Sequence, residues 1–271
     1  MLAYDFDWDA VFSDRDRLRH ALKNTVWIAT VSMVMATLLG MVIALLRTSS
    51  IPPLRWVATV YINVIRGIPL LVLVIYVYFG LPLFLGIEPR TFTNFKAGVL
   101  ALTLFHTAFM AEVFRTGLTA VPPGQREAAL SLGMGRVRAF MSITLPQSIR
   151  IAVPAWGNDF VGMVKDTSLV GVIGIFELYR TGQDMVSDTF KPFEVYTGIA
   201  SLYIGIVVVI DILVRLTERR LRPGMRTRGP LARRRAAAID AIVRGISPPT
   251  PPSITALSPS PTEIPTNPTT Q

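Results

Sequence analysis

Apolar residues in this sequence fall in long unbroken runs rather than in the alternating or stripe-like patterns of a water-facing fold. Thr25–Leu46 is 22 residues without a charge. As a helix it is about 33 Å long at 1.5 Å per residue, enough to cross the roughly 30 Å hydrocarbon core of a bilayer. Ile68–Ile87 is a second uncharged run, of 20 residues. Ala97–Ala111 is shorter but continues past Glu112 to Leu118 if that acid sits near an interface. Ile151–Phe176 is long enough yet carries Asp159, Lys165 and Asp166. Val195–Ile210 is uncharged, and Ile212–Val214 extends it beyond Asp211. The pattern predicts an all-α membrane protein with five transmembrane helices, at about 25–46, 68–87, 97–118, 151–176 and 195–214.

One segment between the first two runs has a different period. Leu54, Val57, Ala58, Tyr61, Ile62 and Ile65 recur at helical spacing, with Arg55, Thr59, Asn63 and Arg66 opposite. That predicts an amphipathic helix lying along the membrane surface, opened by Pro52–Pro53 and broken by Gly67 and Pro69.

Composition agrees with the hydropathy. Hydrophobic residues make up 51% of the 271 and charged residues only 17%, against about 25% in a soluble domain. The net charge of +9 could suggest nucleic acid, but the basic residues are segregated by segment. Their distribution instead orients the chain. Eighteen Lys and Arg fall on the side that holds 119–149 and the C-terminus, eight fall on the other, and Lys165 is left inside. The N-terminal segment 1–24 is therefore expected outside and the C-terminus in the cytoplasm. Five aspartates precede the first run, which is too long for a signal peptide and lacks a small-residue cleavage site; it reads as a retained span. Zero cysteines exclude disulfides, thiol catalysis and cysteine-ligated metals, and two histidines leave little for a histidine metal site. Beyond a transmembrane domain over 25–216, residues 217–246 form a basic segment suited to anionic lipid. Residues 247–271 hold eight prolines and are expected to be disordered.

The cytoplasmic loop 119–149 is the most informative stretch. Pro122-Pro123-Gly124 opens a helix, Glu127 sits in its first turns, and Gly133 is placed to end it with a left-handed residue. A second short helix can follow from Arg136, stopping before Pro146. The product is a helix–glycine–helix knob fit to dock in a groove of another protein. Glu127-Ala128-Ala129, then Gly133, then Ile143 and Leu145-Pro146, at these spacings, resemble the EAA loop of bacterial ABC-importer permeases at every position. Arg66-Gly67-Ile68-Pro69-Leu70-Leu71-Val72, Ala111-Glu112-Val113-Phe114-Arg115, Gly157-Asn158-Asp159-Phe160 and Lys165-Asp166-Thr167-Ser168-Leu169 resemble the polar amino-acid permeases among them. The resemblance covers about residues 18–222. It departs at Ile68, where threonine is expected, and at Leu73, where glutamine is.

The resemblance implies the type I importer permease fold, in a bacterial cytoplasmic membrane. It also implies a second permease subunit, identical or related, an ABC ATPase dimer docked on the EAA loops, and an extracytoplasmic solute-binding protein. No Gly-x-x-x-x-Gly-Lys-Ser/Thr occurs in the chain, so ATP and magnesium fall to that ATPase, no cofactor is expected here, and the chain is expected not to be an enzyme. Glu127, Ala128, Ala129, Gly133, Ile143, Leu145 and Pro146 are the candidate coupling residues.

Ionisable groups inside a membrane mark candidate sites, because their desolvation is costly. Asp159 and Asp166, seven apart on one helix face, are placed to attract a cargo ammonium; otherwise Lys165 neutralises Asp166, or Asp159 pairs with a neighbouring helix. Lys165 could instead meet a cargo carboxylate. Glu112, a further candidate for cargo contact, is three residues from Arg115 and suited to pair with it. His106 reads as a hydrogen-bonded packing residue and Arg66 as an interface anchor. Two other classes compete. An ion-coupled secondary transporter could use Asp159 and Asp166, but would leave the EAA loop without a purpose. An intramembrane aspartyl hydrolase needs carboxylates about 3 Å apart, whereas these are separated by about 10 Å of helix rise.

Overall fold

The computed structural model describes residues 6–12, 14–88 and 91–221; of the basic segment expected at 217–246 all beyond 221, and the whole tail expected at 247–271, lie outside the described residues. The described chain is helical, with no strand among those residues. A single turn, α1 (Asp9–Phe12), precedes α2 (Arg15–Arg47). Asp14 caps α2 by accepting from the Arg17 N–H, so the helix starts ten residues before the apolar run. α3 (Pro52–Gly67) begins at its prolines and ends before Pro69. It packs on α2 and α6 through buried Ala58 and Ile62, and the Tyr61 hydroxyl donates to the Leu104 carbonyl at 2.8 Å. The chain then turns through 105° into Leu70–Leu85.

That segment and the one after the knob share a device that sequence reading misses. α4 (Leu70–Ile75) passes through a π-helical turn, Tyr76–Gly80, into α5 (Leu81–Leu85), where the Leu81 N–H reaches back five residues to the Tyr76 carbonyl. α6 is Asn94–Thr119 and α7 is Pro123–Ser131. α8 (Arg136–Ala139) likewise runs through a π turn, Phe140–Thr144, into α9 (Leu145–Asp166), with Leu145 N–H bonded to the Phe140 carbonyl. A proline in an α-helix lacks its donor and presses on the carbonyl four residues back. The wider π turn just upstream moves that carbonyl aside. Pro82 and Pro146 therefore sit inside continuous helices, and the second short helix does not stop before Pro146.

The fourth apolar run is also reshaped. α9 ends at Asp166 because hydroxyls take its last carbonyls: Thr167 Oγ1 donates to Val164 at 2.6 Å and Ser168 Oγ to Lys165 at 2.7 Å. A 3-10 segment, Thr167–Ile173, follows and closes on Gly174 at φ 81°. α10 (Leu178–Thr189), which hydropathy does not show, precedes α11 (Pro192–Leu221); α11 runs on into residues that composition alone had assigned to the basic segment. By length and composition α2, α6 and α11 can each cross a membrane, and α3 with Leu70–Leu85 qualifies only as a bent pair.

Packing follows chain order: α2 lies against α6, α6 against α9, and α9 against α11. Lipid is as apolar as leucine, so helices associate by close approach and polar bonds rather than by hiding apolar surface. The interior is accordingly rich in small residues, including Ala29, Ala36, Ala101, Ala108 and Ala111, while Trp27, Leu38, Leu83 and Phe84 face outward. A Cβ on Gly40 would stand 2.4 Å from the Met110 Cβ, and one on Gly157 2.5 Å from Val214. At the α10 end, Arg17 bridges Asp184 and Asp188 at 3.3 and 2.9 Å.

Candidate functional site

The coupling loop folds by its own backbone rules. At the end of α7 the Gly133 N–H bonds the Leu130 carbonyl at 3.0 Å and the Met134 N–H bonds Ala129 at 3.1 Å, the crossed pair of a Schellman cap. That cap needs a left-handed residue, and Gly133 has φ 80°. A Cβ there would meet nothing within 4 Å, so the demand for glycine is conformational, not steric. Ala129 is buried under the knob, while Glu127, Ala128 and Gly133 are exposed. Ile143 and Leu145 are half-buried and Pro146 is exposed. Leu132 and Val137 stand 85% and 77% exposed, Val137 between Arg136 and Arg138 in the chain.

The second site is built across helices. Asp159 and Asp166 project from α9 toward His106, midway along α6. The His106 Nδ1 is 2.8 Å from Asp159 Oδ2 and its Nε2 3.3 Å from Asp166 Oδ2. The imidazole is nearly sealed, at 3% exposure, while the carboxylates open to 16% and 35%. Sequence reading had both aspartates on one face; it had no means of finding the histidine between them, 53 positions from Asp159. The only available signal was a titratable ring in mid-span. Lys165 is exposed and makes no ion pair among the described residues, so it does not neutralise Asp166. Glu112 lies elsewhere, paired with Arg115 at 2.8 Å and with Arg47 at the end of α2. Arg66 stacks over Phe109, 5.1 Å from the ring centre.

A third polar centre supports the chain after the 3-10 segment. Glu177 is buried and caps α10, accepting from the Tyr179 and Arg180 N–H groups at 2.9 and 2.6 Å and from the Tyr203 hydroxyl at 2.7 Å. Burial pushes its carboxyl above the ordinary range, against the pull of those three donors.

Apolar helices crossing in series, an exposed docking knob and a charge cluster at mid-span define a permease, a multi-pass membrane component of a transport system rather than an enzyme. Residues 36–223 match the inner membrane component family of binding-protein-dependent transport systems, and the chain belongs to that family. It is 37% identical over 221 residues to the probable amino-acid permease YxeN of Bacillus subtilis, spanning 82% of this chain and 98% of that protein. It is 34% identical over 220 residues to the glutamine transport system permease GlnP of Escherichia coli, spanning 80% and 98%. The crystal structure of an amino acid ABC transporter with histidines matches with a TM-score of 0.73 at 37% identity, covering 80% of this chain and all (100%) of that one. The inward-facing MetNI methionine ABC transporter shares the fold, with a TM-score of 0.63 at 18% identity over 75% and 95% of the two chains. Both solved structures are of ABC transporters, and nothing among these relatives supports the ion-coupled alternative.

Proposed function

We propose that this chain is the membrane-spanning subunit of an importer for a polar amino acid, and that Asp159 and Asp166 line the cargo's path. The observation that carries this reading is the ionisable cluster at mid-span, partly open on α9, in a chain whose relatives are named for amino-acid transport. In this reading Glu127, Ala128, Ala129, Gly133, Ile143, Leu145 and Pro146 shape the surface that meets an ATPase dimer. ATP and magnesium belong to that dimer and this chain holds no cofactor. A second permease subunit completes the pathway and an extracytoplasmic binding protein delivers the cargo. Glu112 is engaged by two arginines, which favours a structural role for it, whereas Lys165 is exposed without an ion pair among the described residues and stays available to a cargo carboxylate.

Asp166→Asn keeps shape and removes charge. A charge-assisted hydrogen bond is worth about 1.5–3 kcal/mol, so KM for uptake should rise about 10–100-fold with membrane abundance unchanged. An abundant variant with unchanged KM removes Asp166 from the cargo path; one that disappears from the membrane assigns it to folding. Orientation follows the excess of Lys and Arg, with the N-terminus outside and the C-terminus in the cytoplasm. A cysteine introduced at Ser131 should then react with an impermeant thiol reagent only from the cytoplasmic side, and one at Thr91 only from outside. Reaction of both from one side overturns the five-span arrangement.

A further inference from the structure

His106 is the one member of the mid-span cluster that the cargo reading leaves without a task. Ionised carboxylates only accept hydrogen bonds. With Nδ1 at 2.8 Å from Asp159 and Nε2 at 3.3 Å from Asp166, a neutral ring would turn one lone pair onto a carboxylate oxygen. The doubly protonated ring offers a donor to each. Nε2 is buried without a well-aligned hydrogen-bond partner, so a proton on it would be held beside Asp166 rather than spent. The other groups at the ring are Phe105 and Phe109, 5.5 and 6.4 Å between ring centres; Arg66 lies over Phe109 and Lys165 is exposed. The charged groups facing the imidazole from α9 are thus the two aspartates. The cluster holds one net negative charge with the imidazolium in place and two without it.

An amino acid with an uncharged side chain brings one cationic group to such a site; lysine or arginine brings two. We propose that His106 is a specificity-determining residue: by occupying the space between Asp159 and Asp166 as a built-in cation, it makes the path select amino acids with uncharged polar side chains over cationic ones. The inference rests on the reading of Asp159 and Asp166 as cargo residues.

The absence of cysteine in the chain allows the charge to be read directly. Gly162 lies on the α9 face between the two aspartates, and a Cβ there would meet nothing within 4 Å. Gly162→Cys, in the full chain assembled with its transporter, is reacted with a trimethylammonium and a sulfonate methanethiosulfonate, and the ratio of the two rates is measured. His106→Asn keeps a donor near Nδ1, and His106→Gln keeps one near Nε2; both remove the charge. In either background the cation-to-anion ratio should rise about tenfold, the effect of one unit charge several ångströms away in a partly aqueous setting. Protection by L-glutamine should dominate with His106 present, and protection by L-arginine should overtake it without. An unmoved ratio, an unmoved order of protection, or failure of both variants to reach the membrane overturns the assignment of His106 while leaving the cargo path intact. A Gly162→Cys that reacts with neither reagent, or that neither amino acid protects, removes the cargo reading itself.

Discussion

The knob at 123–146 and the cluster of His106, Asp159 and Asp166 are both polar departures from an apolar chain, yet they are made in opposite ways. Every bond that shapes the end of α7 joins residues within six positions of one another: Leu132 to Ala128, Gly133 to Leu130, Met134 to Ala129. Its outward residues make few contacts with the rest of the molecule, as suits a surface meant for another protein. The cluster has no local logic. Its central ring comes from α6 and its carboxylates from α9, brought together by packing in which small residues let helices approach closely. A site built locally can be damaged without disturbing the fold, whereas one built across helices shares its fate with the packing that assembles it.

Gly133→Val should have the largest functional effect. A left-handed conformation costs about 1–2 kcal/mol for an L-residue and more for a β-branched one, and with no neighbour to clash with that cost falls on the cap alone. Uptake should drop about tenfold or more and recovery of the ATPase with the permease should weaken, while the protein inserts normally. Normal uptake would mean that the knob does not transmit force.

Glu177→Ala tests the other half of the contrast. Three donors, two local and one from Tyr203 on α11, would lose their acceptor in a buried place, for a loss of about 2–4 kcal/mol. The purified protein should unfold at clearly lower temperature, with α10 the first segment to become protease-sensitive. An unchanged melting temperature would show that the buried carboxylate is dispensable to the cross-helix packing.

The smallest effect is expected of Gly133→Asn. Asparagine tolerates the left-handed region, so uptake should stay within about threefold of native. A loss as deep as that of the valine variant would show that bulk, not backbone conformation, is what the docking surface rejects.

What the sequence could and could not disclose follows the same division. Long uncharged runs demand helices wherever they lie, because backbone polar groups in lipid must bond within their own segment. The long helices α2, α6 and α11, the break at Gly67–Pro69 and the left-handed cap at Gly133 were therefore readable from residue order alone, whereas the fourth run, with three charges, does not form one spanning helix. Pro146 misled, because a proline reads as a stop unless the chain widens before it, and the π turns ahead of Pro82 and Pro146 leave no mark in hydropathy. The 3-10 ending of the fourth run was hidden in the same way, since it depends on whether Thr167 and Ser168 turn their hydroxyls back to α9. α10 escaped notice because it is largely polar and is anchored from outside itself, by Thr25 at the Leu178 N–H and by Arg17 at Asp184 and Asp188.

The sequence by itself determined that this chain lives in a membrane and where a glycine-capped knob would stand, because each of these depends on composition or on neighbours in the chain. Only the tertiary structure decided the partners of the charges. Lys165 adjoins Asp166 in sequence but is separated from it by 100° of helix rotation and makes no ion pair with it. His106, 53 positions from Asp159, is carried to it by the crossing of α6 and α9. Partnership between buried charges is a matter of distance in space, which packing sets and residue order does not.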